Sequence, residues 1–188
     1  MKQIYKTVIV FLSGLLIVSC STQRYSVKNP SSSDKHNYAL SESGKLRVEI
    51  PAGWFKAIDN DKKLIDLWLV KDDYSASIKF IPIVIHNSSS SNLESAVFYS
   101  KIFLKTSVGN NFRKFISETN DIFNSKAVSF YKVLLKDGRL LRCAVFEEKG
   151  NYYENIINYL KPASVSEIDE LFNVQTDLLK SLVPRQIL

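Results

Sequence analysis

Val128-Ser129-Phe130-Tyr131-Lys132-Val133-Leu134-Leu135, then Lys136-Asp137-Gly138, then Arg139-Leu140-Leu141-Arg142-Cys143-Ala144-Val145-Phe146 reads as two strands joined by a tight turn. Asp-Gly between two apolar runs is a strong short-range hairpin signal, because glycine adopts the left-handed backbone that such turns require. Apolar residues stand on both parities of the first strand, with Leu134 beside Leu135. Ile156 beside Ile157 repeats the pattern downstream. A strand apolar on both faces belongs in a sheet covered on both sides.

Working outward toward the C-terminus, Lys149-Gly150-Asn151 forms the next turn and Tyr152 to Leu160 the next strand, which Pro162 ends. Ser164 and Glu167 have the S-x-x-E spacing of a capping box. Behind them Ile168, Leu171, Phe172, Gln175, Leu178, Leu179 and Leu182 recur at i, i+3, i+4, predicting an amphipathic helix that closes before Pro184. Toward the N-terminus, Phe112 to Phe123 contains a strand. Leu93 to about Val108, ending at Gly109, predicts a helix with Ser91 and Glu94 as its capping box and an apolar face of Leu93, Val97 and Leu104, widened by Ala96, Ile102 and Phe103. His86 to Ser90 is loop. Leu64 to Val70 and Ala76 to Ile85 form a strand pair around Lys71-Asp72-Asp73-Tyr74-Ser75, with Pro82 marking an edge position or bulge. Leu46 to Ile50 alternates strictly and stops at Pro51-Ala52-Gly53-Trp54.

The piece Gly44-Lys45-Leu46-Arg47-Val48-Glu49-Ile50-Pro51-Ala52-Gly53-Trp54, the ending Leu178-Leu179-Lys180-Ser181-Leu182 and the order of elements between them resemble the PsbP-like superfamily. That group includes the extrinsic PsbP protein of photosystem II, the Mog-type Ran-binding proteins and DcrB-family lipoproteins. The resemblance implies an α+β domain, an α/β/α sandwich around a mostly antiparallel sheet. It also implies partner binding rather than catalysis, with no shared catalytic motif to carry over.

The first 37 residues say where the domain is held. Lys2 and Lys6 precede an apolar core from Val8 to Val18, about ten residues long, the size of a signal-peptide core and short of the roughly 20 residues of a spanning helix. The run ends in Leu16-Ile17-Val18-Ser19-Cys20, which resembles the lipobox of bacterial lipoproteins. In that family cleavage falls before the cysteine, here between Ser19 and Cys20, and Cys20 carries the lipid. Two or three acyl chains hold a protein stably on a bilayer. The alternatives are an ordinary cleaved signal or an uncleaved short anchor. Residues 21–37 are polar and aperiodic, a tether of about 17 residues with a reach of roughly 20 to 25 Å. The expected organisation is a signal peptide at 1–19, lipidated cysteine and tether at 20–37, and one globular domain at 38–188. Ser21, in place of the acidic residue that retains some lipoproteins on the inner membrane, points to the outer membrane of a bacterial envelope, with the domain on the exported side.

The net charge of +6, from 25 Lys and Arg against 19 Asp and Glu, loses its apparent meaning on this division. Lys2 and Lys6 leave with the signal, and the tether takes a further two net charges through Arg24, Lys28 and Lys35 against Asp34. The domain keeps about +2 and has no basic run, so nucleic acid is excluded as a partner. With Cys20 acylated, Cys143 has no disulfide partner and alternates onto one face with Leu141 and Val145, a buried inert thiol.

Motifs for chemistry are absent: no G-x-S-x-G, H-E-x-x-H, phosphate-binding loop or C-x-x-C. His36 lies in the tether, leaving His86 alone in the domain. Asp59-Asn60-Asp61 lacks the glycine and distal glutamate of a calcium loop, so no metal or cofactor is expected. Asp72-Asp73 and Glu147-Glu148 sit at turns or strand ends as solvated charge. Trp54 and Trp68 read as core, whereas Tyr152 and Tyr153, pointing to opposite faces, are the candidate partner surface. The expectation is a membrane-anchored, non-enzymatic module that binds a protein or another envelope component. The alternative is an envelope protein with a small-ligand or hydrolytic pocket that no motif records.

Overall fold

The hairpin supplies two inner strands of the main sheet. The computed structural model describes residues 37–58, 64–85 and 92–182, all within one compact unit, His36–Leu188. The strands are β1 (Tyr38–Leu40), β2 (Arg47–Glu49), β3 (Trp54–Lys56), β4 (Leu67–Lys71), β5 (Ala76–Ile83), β6 (Phe112–Phe123), β7 (Lys126–Leu135), β8 (Leu140–Glu148) and β9 (Asn151–Tyr159); the helices are α1 (Leu93–Val108) and α2 (Val165–Lys180). Seven strands form one sheet in the order β3-β4-β5-β9-β8-β7-β6, and β1 and β2 form a small second sheet. Every pairing is antiparallel.

Turn chemistry sets the register of β7, β8 and β9. Leu135 N–H donates to Arg139 O at 2.9 Å, closing Lys136-Asp137-Gly138, with Gly138 at φ +87°. Lys149 (φ +51°) and Gly150 (φ +73°) form the two-residue turn between β8 and β9, a pair of positive angles that matches the twist of a hairpin. The alternation then divides the side chains. Tyr131, Val133, Leu141, Cys143, Val145 and Ile156 meet Ala96, Val97 and Leu104 of α1. Val128, Phe130, Ala144, Phe146 and Ile157 join Ile78 and Phe80 against Leu171, Phe172, Leu178 and Leu179 of α2. Each helix covers one face, and the α/β/α sandwich is what the two-sided strands required. β2 extends the α2 layer through Leu46 and Val48, and its side is tied to the main sheet where Asp66 accepts from Ser43 N–H (2.6 Å) and Ser43 Oγ (2.7 Å).

Helix ends follow their local chemistry. Ser164 and Glu167 form the full capping box of α2. At α1 the cap is Asn92, whose side chain accepts from Ser95 N–H at 2.8 Å, in place of the Ser91 and Glu94 box expected from spacing. Pro82 lies beyond the Leu67↔Phe80 pair that ends β4, so that only β9 remains beside that end of β5. The signal peptide, Ser19, Cys20, the tether to His36, Asp59-Asn60-Asp61, His86, Ser91 and Pro184 lie outside the described residues.

Candidate functional site: an apolar face with a buried carboxyl

α1 has apolar residues around most of its circumference, and the sheet absorbs only one side of them. Ala96, Val97, Ser100 and Leu104 are buried. Ile102 and Phe103, expected to widen that buried face, instead point outward with Phe98 and Tyr99, because a 16-residue helix on a flat sheet buries one stripe and these four lie outside it. With Val84, just past β5, they are between 47 and 70% exposed. The end of β5 that β4 does not reach and this side of α1 line a cavity of about 340 Å3 formed by Ile81, Pro82, Ile83, Tyr99, Ile102 and Phe103.

Glu154 forms part of its wall. The residue sits on β9 opposite Ile81 and is 1% exposed. Ser100 Oγ of α1 donates to Glu154 Oε1 at 2.6 Å, Tyr131 OH of β7 donates to the same oxygen at 2.7 Å, and the two hydroxyls lie 2.7 Å apart. Burial raises the Glu154 carboxyl above its ordinary range, and the two donors pull against that shift. Burial likewise pushes the Tyr131 phenol far upward, helped by Cys143 and Glu154. Among the described residues no lysine or arginine forms an ion pair with Glu154; Lys101 of α1 pairs with Glu118. Sequence reading passed over Glu154. The available signal was its parity with Tyr152 and Ile156, which placed a carboxyl on the α1 face of a central strand.

The next residue, Asn155, faces the other helix. Gln175 Nε2 of α2 donates to Asn155 Oδ1 at 2.8 Å and to its backbone carbonyl at 3.1 Å. This pair is closed in the core, 0% exposed at both residues, and fixes helix to strand.

The two tyrosines read as a partner surface point to opposite faces. Tyr153 is 1% exposed and stacks on Phe146 with centroids 5.8 Å apart, so its ring belongs to the core and offers no surface. Tyr152 is half-buried on the α1 face, at the edge of the cluster beneath the helix. Cys143 is fully buried, with its thiol pushed well up by burial. Asp72 and Asp73 stand exposed in their turn. Glu148 departs from solvated charge: it is buried and paired with Lys126, because β8 runs two residues beyond Phe146 and alternation returns Glu148 to the same face. Among the described residues no group of three or more His, Cys, Asp or Glu could hold a metal ion, and no helix is long and apolar enough to cross a membrane.

No protein-family model matches the chain, and no curated protein matches it. Solved structures do. The solution structure of cyanobacterial PsbP (CyanoP) from Synechocystis sp. PCC 6803 superposes with a TM-score of 0.60 at 9% identity, covering 83% of this chain and 96% of that one. A protein of unknown function from Pseudomonas aeruginosa, PA94, described as a putative regulator, aligns at a TM-score of 0.40 and 12% identity over 80% of this chain and 98% of that one, a likeness too slight to carry an argument. The antiparallel sheet between two helices and the match to CyanoP together show that the domain has the PsbP-like fold.

Proposed function

We propose that this chain is a lipid-anchored protein of the bacterial cell envelope whose PsbP-like domain is a non-enzymatic accessory module, docking a protein partner on the outer side of α1 and the adjoining end of β5. The observation that carries the reading is the cluster of Phe98, Tyr99, Ile102 and Phe103 left exposed on one side of α1, with exposed Val84 beside them past the end of β5. Scattered surface apolars are ordinary, whereas contiguous ones mark interaction sites, and aromatic residues dominate binding energy at such sites. Leu16 to Cys20 supports the anchor, and a tether of about 17 residues would keep the domain within roughly 20 to 25 Å of the bilayer, raising the effective concentration of any membrane-bound partner.

Co-purification from solubilised membranes tests this. The wild-type protein should bring down a partner that a Phe98→Ser/Phe103→Ser double variant, present at equal level in the same membranes, leaves behind. Equal recovery by both would place the interface elsewhere.

A further inference from the structure

The cavity beside α1 has one polar feature that no hydrogen bond among the described residues occupies. Both hydroxyls bonded to Glu154 bind Oε1, at 2.6 and 2.7 Å, and neither uses Oε2. A carboxyl taken almost wholly out of water is costly unless each oxygen finds a donor, and the wall in which this one stands is otherwise mainly apolar, formed by Ile81, Pro82, Ile83, Ile102 and Phe103. No cation of the described residues is paired with it. The missing complement is a positive donor on an apolar stem.

We infer that the partner inserts a lysine side chain into this cavity, its ammonium on Glu154 Oε2 and its methylenes against Ile81, Ile83, Ile102 and Phe103. This rests on the docking reading above. Lysine fits better than arginine for a geometric reason. A guanidinium fork recognises both oxygens of a carboxylate side by side, and here Oε1 already accepts two hydroxyls. An ammonium is a point donor that needs one oxygen. Its four-carbon stem covers apolar surface while the head reaches its acceptor.

Butylammonium, which is the lysine side chain without its backbone, provides the probe. It is titrated by saturation-transfer NMR against the full-length protein in zwitterionic nanodiscs, beside butanol and butyrate, with empty nanodiscs subtracted. Butylammonium should bind at least tenfold more tightly than butanol, with no saturable butyrate signal. Glu154→Gln, which keeps the shape and acceptor for Ser100 and Tyr131, should erase that preference. Equal binding of butylammonium and butanol to the wild-type protein overturns the inference without recourse to any variant. A Glu154→Gln protein that keeps the preference also overturns it. Partner recovery separates the two levels: a partner retained undiminished by Glu154→Gln removes the lysine anchor while docking stands. Butylammonium binding with no protein partner under any condition would make the occupant a free alkylamine and contradict both.

Discussion

Truncating one phenylalanine on the outer side of α1 and one in the core beneath α2 compares an uncovered helix face with a packed layer. Phe98 is 60% exposed and Phe146 is 0% exposed. A phenylalanine side chain presents roughly 200 Å2, so about two fifths of it, roughly 80 Å2, is covered at Phe98. At about 25 cal/mol/Å2 that is ~2 kcal/mol, an upper bound because the denatured chain is itself partly collapsed. Alanine returns up to ~0.5 kcal/mol as the better helix former. Phe98→Ala should therefore cost about 1 kcal/mol. Phe146 packs edge-on to Phe80 (6.3 Å) and stacks on Tyr153 (5.8 Å), and core phenylalanine truncations cost about 3 to 5 kcal/mol, a large share of a stability of roughly 5 to 15 kcal/mol. Urea unfolding followed by circular dichroism gives both values. A cost of 3 kcal/mol or more at Phe98 would refute the reasoning, since it would mean that the outer side of α1 is covered when the protein stands alone in solution.

Glu154→Gln should change the pH dependence of stability. Burial holds the folded-state value of Glu154 above its ordinary 4.5, so between the two values the folded protein binds more protons than the unfolded chain and loses stability as pH rises. The variant lacks this loss, and its urea midpoint should gain on the wild type from pH 4 upward; parallel curves would contradict it. Ser164→Ala removes the hydroxyl half of the α2 capping box while its backbone N–H still donates to Glu167, and should cost about 1 kcal/mol, read as a lowered thermal midpoint. Cys143, buried with a raised thiol, should resist iodoacetamide until the protein unfolds. Cys20→Ala should abolish acyl labelling and release the protein from the membrane fraction.

The fold was legible where local rules and global packing agree. The Asp137-Gly138 hairpin, the Ser164 and Glu167 box and the heptad-like run of α2 all specify their own geometry within a few residues, and the doubled apolar parity of β7 and β9 announced two covering layers. The site was less legible for physical reasons. Hydrophobic periodicity assigns apolar residues to the core, so it counted Ile102 and Phe103 as buried although the sheet takes only one stripe of α1. Alternation placed Tyr152 and Tyr153 on opposite faces without saying how far each covering layer reaches along β9, and the layer holding Phe146 enclosed Tyr153. Glu154 was passed over because its two partners, Ser100 and Tyr131, come from elements 54 and 23 residues away. Asn92 displaced Ser91 as a cap by a single residue, a distinction that the S-x-x-E pattern does not resolve.

The docking surface is tested most directly by site-specific photo-crosslinking in intact cells. A photoreactive residue replacing Phe103 should yield one discrete higher-mass adduct containing a protein partner, and the same residue replacing Asp72, exposed in the β4–β5 turn, should not. Adducts of equal yield at both positions, or at Asp72 alone, would contradict the account.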